Sequence, residues 1–572
     1  MRATSTLLLP LAFAGSTYAA AVKSSSSCFD LWDQAPKLIP NLEVYVAKTY
    51  PGKPGLLPLA DASLEAGLTD VLSCSTAGTN FTTKYATASY PAPVPDMPEF
   101  CRFGAYFHTS NISKVQFEVF LPAPDAWTGR FAMVGNGGNA GGVNYPDLWA
   151  PIKKYGMAVA STDTGHNSSG LDGQYAINNT ASQIDFGYRA VHLTAVYSKQ
   201  IIEAYYGKQQ KKSYWLGCSS GGKQGLKEVQ AFPEDFDGVI AGAAAQWWTH
   251  LNAQTYRINA IVNPVGSPGY LNTSDYALIG AHVLKQCDAL DGVEDGIITN
   301  PWACQPDLQQ LSCDSSVANS TNCLSADQIT TMYRIWADYH KEKTGEFVFP
   351  GFAHGAEGPP GFSVTGQPFP PAPDYYQYQV LNRTEIGSFS ANATEMDRLI
   401  SIADETDPGS TNAINPNIKP FLKRGKLITY VGLADGLIPT GSTIWYYEQV
   451  RKALGYPQDL NDSYRLFTIP GHGHCYGGPG AFNFGGVGQR QDVLGGGLTS
   501  SQFDSKHDMV LSLIDWVEKG IAPDVIIGAK YVDDDKSKGV AFERPHCVYP
   551  KQATYIGGDV NSASSFRCEN IA

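Results

Sequence analysis

The sequence predicts an α/β fold, a mostly parallel sheet covered by helices and broken by one large insertion. Short β-rich runs alternate with helical stretches from about 117 to 242. The alternation then lapses over 246–419 and resumes near 426. Within the first half, a serine in a glycine-rich frame stands where one strand-like run turns directly into a helix. Strands that are apolar throughout, rather than alternating, belong to a sheet buried on both faces, and helices supply that cover.

In chain order, "VQFEVFL", "RFAMVG" and "MAVAS" read as strands and "FGYRAVHLTAVYSKQIIEAYY" as a helix. The strand "SYWLG", the helix "KQGLKEVQAF" and the strand "FDGVIAGAA" follow. The insertion opens on Trp247 and Trp248, holds four cysteines, and contains the Pro/Gly-rich "PGFAHGAEGPPGFSVTGQPFPPAPD", which reads as an inserted subdomain or lid. The core then returns with "KLITYVGLAD", the helix "TGSTIWYYEQVRKALG", the strand "YRLFTIPG" and the helix "DMVLSLIDWVEKG". The expected organisation is a core formed by 21–245 and 420–572 and a lid formed by 246–419.

Composition narrows the function classes. The 572 residues carry 41 basic and 54 acidic side chains, a net charge of −13, with no long basic run, which argues against nucleic acid as a partner. Residues 1–20, "MRATSTLLLPLAFAGSTYAA", have one early positive charge, an apolar stretch and a small-residue end, the pattern of a secretory signal peptide. No later run is long and apolar enough to span a bilayer, so no membrane association is expected. Nine Asn-x-Ser/Thr sequons (Asn80, Asn111, Asn167, Asn178, Asn272, Asn319, Asn382, Asn392, Asn461) fit a secreted glycoprotein. Eleven cysteines without a Cys-x-x-Cys pair then read as a disulfide framework rather than metal ligands, with one left over. Monomer and homodimer are both open.

A Gly-x-Ser-x-Gly frame alone is weak; its context decides. Ser219 lies between the strand "SYWLG" and the helix "KQGLKEVQAF", the sharp turn that exposes a nucleophile, and Gly217, Gly221 and Gly222 permit the close approaches such a turn needs. A serine hydroxyl needs a base, and the base an acid to orient it. In an α/β-hydrolase the order is Ser, Asp, His, and Asp435 and His474 each follow a strand-like run in that order. His472 is the rival base. Cys218 directly precedes Ser219 and Cys475 directly follows His474. If those cysteines are bonded, their Cα atoms lie about 5.5 Å apart and the bridge pins serine and histidine side by side.

Two further loops carry candidate chemistry. "RFAMVGNGGNAGGV" offers the backbone N–H groups of Gly137 or Gly138, with that of Ser220, as an oxyanion hole; a plain tight turn or a nucleotide loop are the alternatives, the last disfavoured because "VNYPDLWAP" is a poor opening for a phosphate-capping helix. In "CDALDGVEDGIITNPWAC", Asp288, Asp291 and Asp295 crowd a short loop where a hard cation, helped by the carbonyls of Val293 and Ile297, would relieve their repulsion; a solvated acidic turn is the alternative.

At these residues the chain resembles the tannase and feruloyl esterase family of secreted serine carboxylesterases with an α/β-hydrolase core and a large lid. The resemblance rests on "GCSSGGKQGLKEVQAFPEDFDGVIAGAAAQWW", "GLADGLIPT", "PGHGHCYGG" and "CDALDGVEDGI". It implies Ser219, Asp435 and His474 as catalytic residues, a Cys218–Cys475 bridge beside them, and a structural Ca2+ on Asp288, Asp291, Val293, Asp295 and Ile297. It also implies bridges Cys28–Cys74, Cys287–Cys304, Cys313–Cys323 and Cys547–Cys568, with Cys101 left over. The implied substrate is an ester of a hydroxycinnamic, feruloyl-type acid, free or attached to plant cell-wall polysaccharide, with galloyl esters as the alternative. A noncatalytic glycoprotein on the same scaffold would be expected to lack one of the three catalytic residues.

Overall fold

A computed structural model describes residues 26–52, 89–90, 97–314, 322–358, 361–458, 460–488 and 501–570. The expected signal peptide, Cys74, Asn80 and Asn319 lie outside the described residues. The strands are β1 (Glu43–Tyr50), β2 (Phe100–Ser110), β3 (Ser113–Pro122), β4 (Arg130–Val134), β5 (Ala158–Thr162), β6 (Lys212–Cys218), β7 (Gly238–Gly242), a short pair β8 (Tyr339–His340) and β9 (Phe347–Phe349), then β10 (Lys426–Gly432), β11 (Tyr464–Ile469), β12 (Val525–Tyr531), β13 (Val540–Cys547), β14 (Lys551–Tyr555) and β15 (Phe566–Asn570). Nine of them form one sheet in the order β1-β2-β3-β5-β4-β6-β7-β10-β11. From β5 onward every pairing is parallel, whereas β1, β2 and β3 close the other edge antiparallel.

The apolar runs explain this layering. Phe131, Met133, Trp215, Val239 and Leu427 point to one face, packing under α4 (Ala190–Tyr206) and α5 (Ser220–Ala231). Val134, Tyr214, Leu216, Ile240, Ile428 and Phe467 point to the other face, against α2 (Tyr145–Tyr155) and α13 (Met509–Lys519). Period-2 alternation thus feeds two cores from the same strands. The stretch between β7 and β10 adds no strand to the large sheet among the described residues and carries its own clusters, one around α6 (Trp248–Arg257) and α10 (Ala393–Thr406), the other around α7 (Thr273–Cys287) and α8 (Ala326–Trp336).

Two expectations are corrected. Cys28 is bonded to Cys101, with Cα atoms 5.5 Å apart, not to Cys74. Cys101 sits on β2, hydrogen-bonded along β1, and only that strand pair brings it beside the turn holding Cys28. "VNYPDLWAP" does open a helix: Asn144 accepts the N–H of Asp147, and a proline in the first turn sacrifices no intrahelical bond. The other expected bridges, Cys218–Cys475, Cys287–Cys304, Cys313–Cys323 and Cys547–Cys568, are all formed.

Candidate active site

Ser219 ends β6 and caps α5 with φ 63° and ψ −124°, a backbone conformation that residues with a side chain rarely hold. Its surroundings over-determine it. Its N–H donates to Gly242 at 2.9 Å, and its carbonyl accepts from Lys223 and Ala245, each at 3.0 Å. A Cβ on Gly217 would lie 2.3 Å from the Gly221 carbonyl oxygen, and one on Gly222 2.6 Å from that of Gly242. The glycines flanking the serine are thus required by contact.

Asp435 and His474 arrive on the loops after β10 and β11. Fully buried Asp435 accepts the N–H groups of Leu437 and Ile438 with Oδ1 at 2.8 and 2.9 Å, leaving Oδ2 for His474 Nδ1 at 2.8 Å. That hydrogen bond fixes the ring so that Nε2 is turned away from the acid; this nitrogen is buried and has no partner. The Cys218–Cys475 bridge, Cα atoms 6.0 Å apart, fastens the residue before the serine to the residue after the histidine. Cys475 also has a positive φ, 62°. His472 takes no part: it is wholly buried, stacked against Phe482 and Tyr430, and burial lowers its pKa to about 4.

Ser219 and His474 line one cavity of about 560 Å3. A single face of α6 lines it as well, where Trp248, Leu251, Asn252 and Thr255 recur at helical spacing, together with Phe369, Pro371 and Ile438. Gly137, Gly138 and Ser220 line it too, but the Gly137 N–H donates to the Tyr90 hydroxyl at 3.1 Å, which removes Gly137 from the expected oxyanion donors. The Ser220 hydroxyl donates to the Gly138 carbonyl at 2.8 Å, joining the remaining two. Trp247 packs elsewhere, stacked on Trp445 at 4.2 Å and His250 at 3.9 Å. Lys223 is a residue the sequence reading passed over. Its ammonium is fully buried without a hydrogen-bond partner, 4.2 Å from the ring of Phe186 and 4.5 Å from that of Trp248, and burial lowers its pKa to about 7. A helical pattern with a lysine on the inward face was the signal available.

The acidic loop follows α7, away from the cavity. Asp288 accepts backbone N–H groups of Asp295, Gly296 and Ile297, Asp291 those of Val293 and the Thr299 hydroxyl, and Asp295 that of Ile297 together with Arg544 at 2.6 Å. Burial, with the charges of Asp295 and Asp288, raises the pKa of Asp291, and Arg544 pairs with Asp295 alone among the three. Carboxylate oxygens are the ligand type a hard cation takes, but here they accept the loop's own N–H groups, and the three do not converge within 4.8 Å of one another.

A sequence profile described as tannase and feruloyl esterase matches residues 103–366 and 376–569. The chain is 35% identical over 474 residues to a probable feruloyl esterase B-1 of Aspergillus fumigatus, covering 82% of this chain and 86% of that one. The chain belongs to the tannase and feruloyl esterase family. A crystal structure of feruloyl esterase B from Aspergillus oryzae superposes with a TM-score of 0.80 at 30% identity, over 93% of this chain and 97% of the other. Tannin acyl hydrolase from Aspergillus niger shares the fold at 21% identity, with a TM-score of 0.69 over 96% and 97%.

Proposed function

We propose that this carboxylic ester hydrolase cleaves esters of feruloyl-type phenolic acids through a serine acyl-enzyme. The observation that carries the mechanism is the line Asp435–His474 ending on an unpartnered Nε2 in the cavity that Ser219 also lines. His474 Nε2 takes the Ser219 proton as Oγ attacks the ester carbonyl carbon, Asp435 stabilises the resulting imidazolium, and the same nitrogen returns the proton to the departing alcohol. Water, activated by His474, then releases the acid. The N–H groups of Gly138 and Ser220 are the proposed oxyanion donors.

The inserted segment 246–419 is proposed as the lid that walls the acyl pocket, since α6, near its start, lines the cavity of Ser219. Secretion and glycosylation follow from the amino-terminal pattern and from the exposure of Asn111, Asn167, Asn178, Asn272, Asn382 and Asn392. Among the described residues no helix is long and apolar enough to cross a membrane. A structural Ca2+ would be held by Asp288, Asp291 and Asp295 with the carbonyls of Val293 and Ile297, bracing the lid without entering the chemistry.

Comparing kcat/KM for methyl ferulate, methyl caffeate, methyl gallate and ethyl butyrate on one preparation tests the substrate class. Hydroxycinnamoyl esters should lead. A lead for methyl gallate moves the enzyme to galloyl esters, and a lead for ethyl butyrate rejects phenolic acids altogether.

A further inference from the structure

A second cluster of ligating side chains lies at the opposite end of the helix that Ser219 caps. His192 on α4, Glu228 on α5 and Asp235 in the loop before β7 place one imidazole nitrogen and two carboxylate oxygens within 4.8 Å of one another. Glu228 stands nine positions after Ser219 (228 minus 219), about 13 Å along the axis at roughly 1.5 Å per residue, so this cluster is outside the ester site.

The three groups are not equally satisfied. His192 Nδ1 lies 2.7 Å from Asp235 Oδ2, and its ring stacks on Phe232 at 3.7 Å. Lys199 donates to the backbone carbonyl of Asp235 at 2.5 Å and stands 3.6 Å from its carboxylate. Glu228, 1% exposed, finds no hydrogen-bond donor for either oxygen; it faces the Asp235 carboxyl, with the charges of Lys199 and Lys227 nearby. Two carboxyls turned toward each other in a buried place, one of them without a donor, are arranged for a positive ion or for a shared proton.

We propose that His192, Glu228 and Asp235 form a structural site for a divalent transition ion of the zinc class, with water completing its shell. One imidazole and two carboxylates suit zinc, which takes ligands at about 2.0–2.2 Å, better than they suit calcium, which prefers an all-oxygen cage. Ligation by both His192 and Asp235 would replace their present hydrogen bond. Access is one-sided: the His192 side chain is 26% exposed and that of Asp235 11%, while Glu228 is sealed behind them. Lys199 keeps its bond to the Asp235 carbonyl and leaves the carboxylate's other oxygen to the ion. Bound there, the ion links α4 to the far end of α5 and braces the helix on which Ser219 stands.

The test titrates zinc into chelator-stripped, calcium-saturated full-length protein by calorimetry. One equivalent should bind with micromolar or tighter affinity and raise Tm. Glu228→Gln and His192→Gln should each weaken that binding by at least ~10-fold, whereas Asp291→Asn, in the acidic loop, should leave it unchanged. Wild-type crystals grown with equimolar zinc should show an anomalous peak between the three side chains. A peak elsewhere, zinc binding at crystal concentration only, or affinity unchanged in Glu228→Gln overturns the site. Glu228→Gln that raises Tm with zinc binding absent in the wild type assigns the pair to a shared proton instead.

Discussion

The cavity's two walls are built on different principles. The serine, acid and base stand at the ends of parallel strands, where β6, β10 and β11 are locked in register and the Cys218–Cys475 bridge ties two of the loops. Another part of its lining is one stripe of α6, a helix held by the cluster it forms with α10. Proton transfer tolerates little misplacement, and rigid strand ends supply it; a pocket wall has only to offer shape, and a helix face suffices. Changes on the sheet wall should therefore remove kcat, and changes on the helix wall should shift KM and selectivity.

The sharpest break of that comparison is Ser219→Ala, which should lower kcat by about 10⁴ to 10⁶ with Tm nearly unchanged. Activity above a few per cent in a purified variant would show that the chemistry lies elsewhere in the cavity. His474→Ala should lose a comparable factor. His472→Ala, although only two positions away, should lower Tm by removing a packed ring while kcat falls by less than ~10-fold, because a side chain with no face on the cavity acts through packing. The reverse ranking would exchange the two histidines' roles.

Much of the sheet wall was legible in the sequence. The runs in β6, β10 and β11 are apolar without interruption, which only a doubly covered strand allows, and the chain order of Ser219, Asp435 and His474 followed from them. The lid wall was not. Trp247 and Trp248 are neighbours of one residue type, yet α6 begins at Trp248 and successive residues on a helix diverge by about 100°. One ring therefore faces the cavity and the other stacks on Trp445. The Cys28 partner was hidden for a related reason: it depends on which strand pairs with β1, a contact across about 50 positions that no local pattern announces. The choice between Gly137 and Gly138 was open for the same reason, since the Tyr90 hydroxyl that accepts the Gly137 N–H is likewise remote in sequence.

Replacing Cys218 and Cys475 together by alanine sharpens the claim that the sheet wall needs rigidity. Loss of the bridge frees the His474 loop relative to the elbow, and a shift of about 1 Å at a reacting contact costs around a hundredfold in kcat. KM should move far less. A double variant with full kcat, measured where it is still folded, would make the bridge a stability element alone. On the helix wall, Thr255→Trp fills the cavity from α6. Overfilling costs about 1–3 kcal/mol, so kcat/KM for methyl ferulate should fall by roughly five- to a hundredfold, mostly through KM, while ethyl butyrate is affected less. Equal losses on both esters would mean that α6 does not meet the acyl group.

The smallest expected effect comes from calcium, because the acidic loop packs on β13 through Arg544 and on the loop after β11 through Ile297, and touches neither Ser219 nor His474. Arg544 pairs with Asp295 alone among Asp288, Asp291 and Asp295, and an ion that binds the folded loop and not the unfolded chain adds stability by mass action, about 2.7 kcal/mol at a hundred times its Kd. In a chain of this length that corresponds to a few degrees of Tm. Dialysis against EDTA should lower Tm by that amount, calcium should restore it, and kcat on methyl ferulate below the transition should stay within about twofold. Asp291→Asn should abolish the Tm response to calcium while preserving turnover. If EDTA leaves Tm unchanged and the dialysed protein contains no calcium, the loop is an acidic turn satisfied by its own N–H groups and Arg544. If EDTA instead removes kcat, the separation between the chemical wall and the acidic loop fails, since the loop would then be controlling the strand ends.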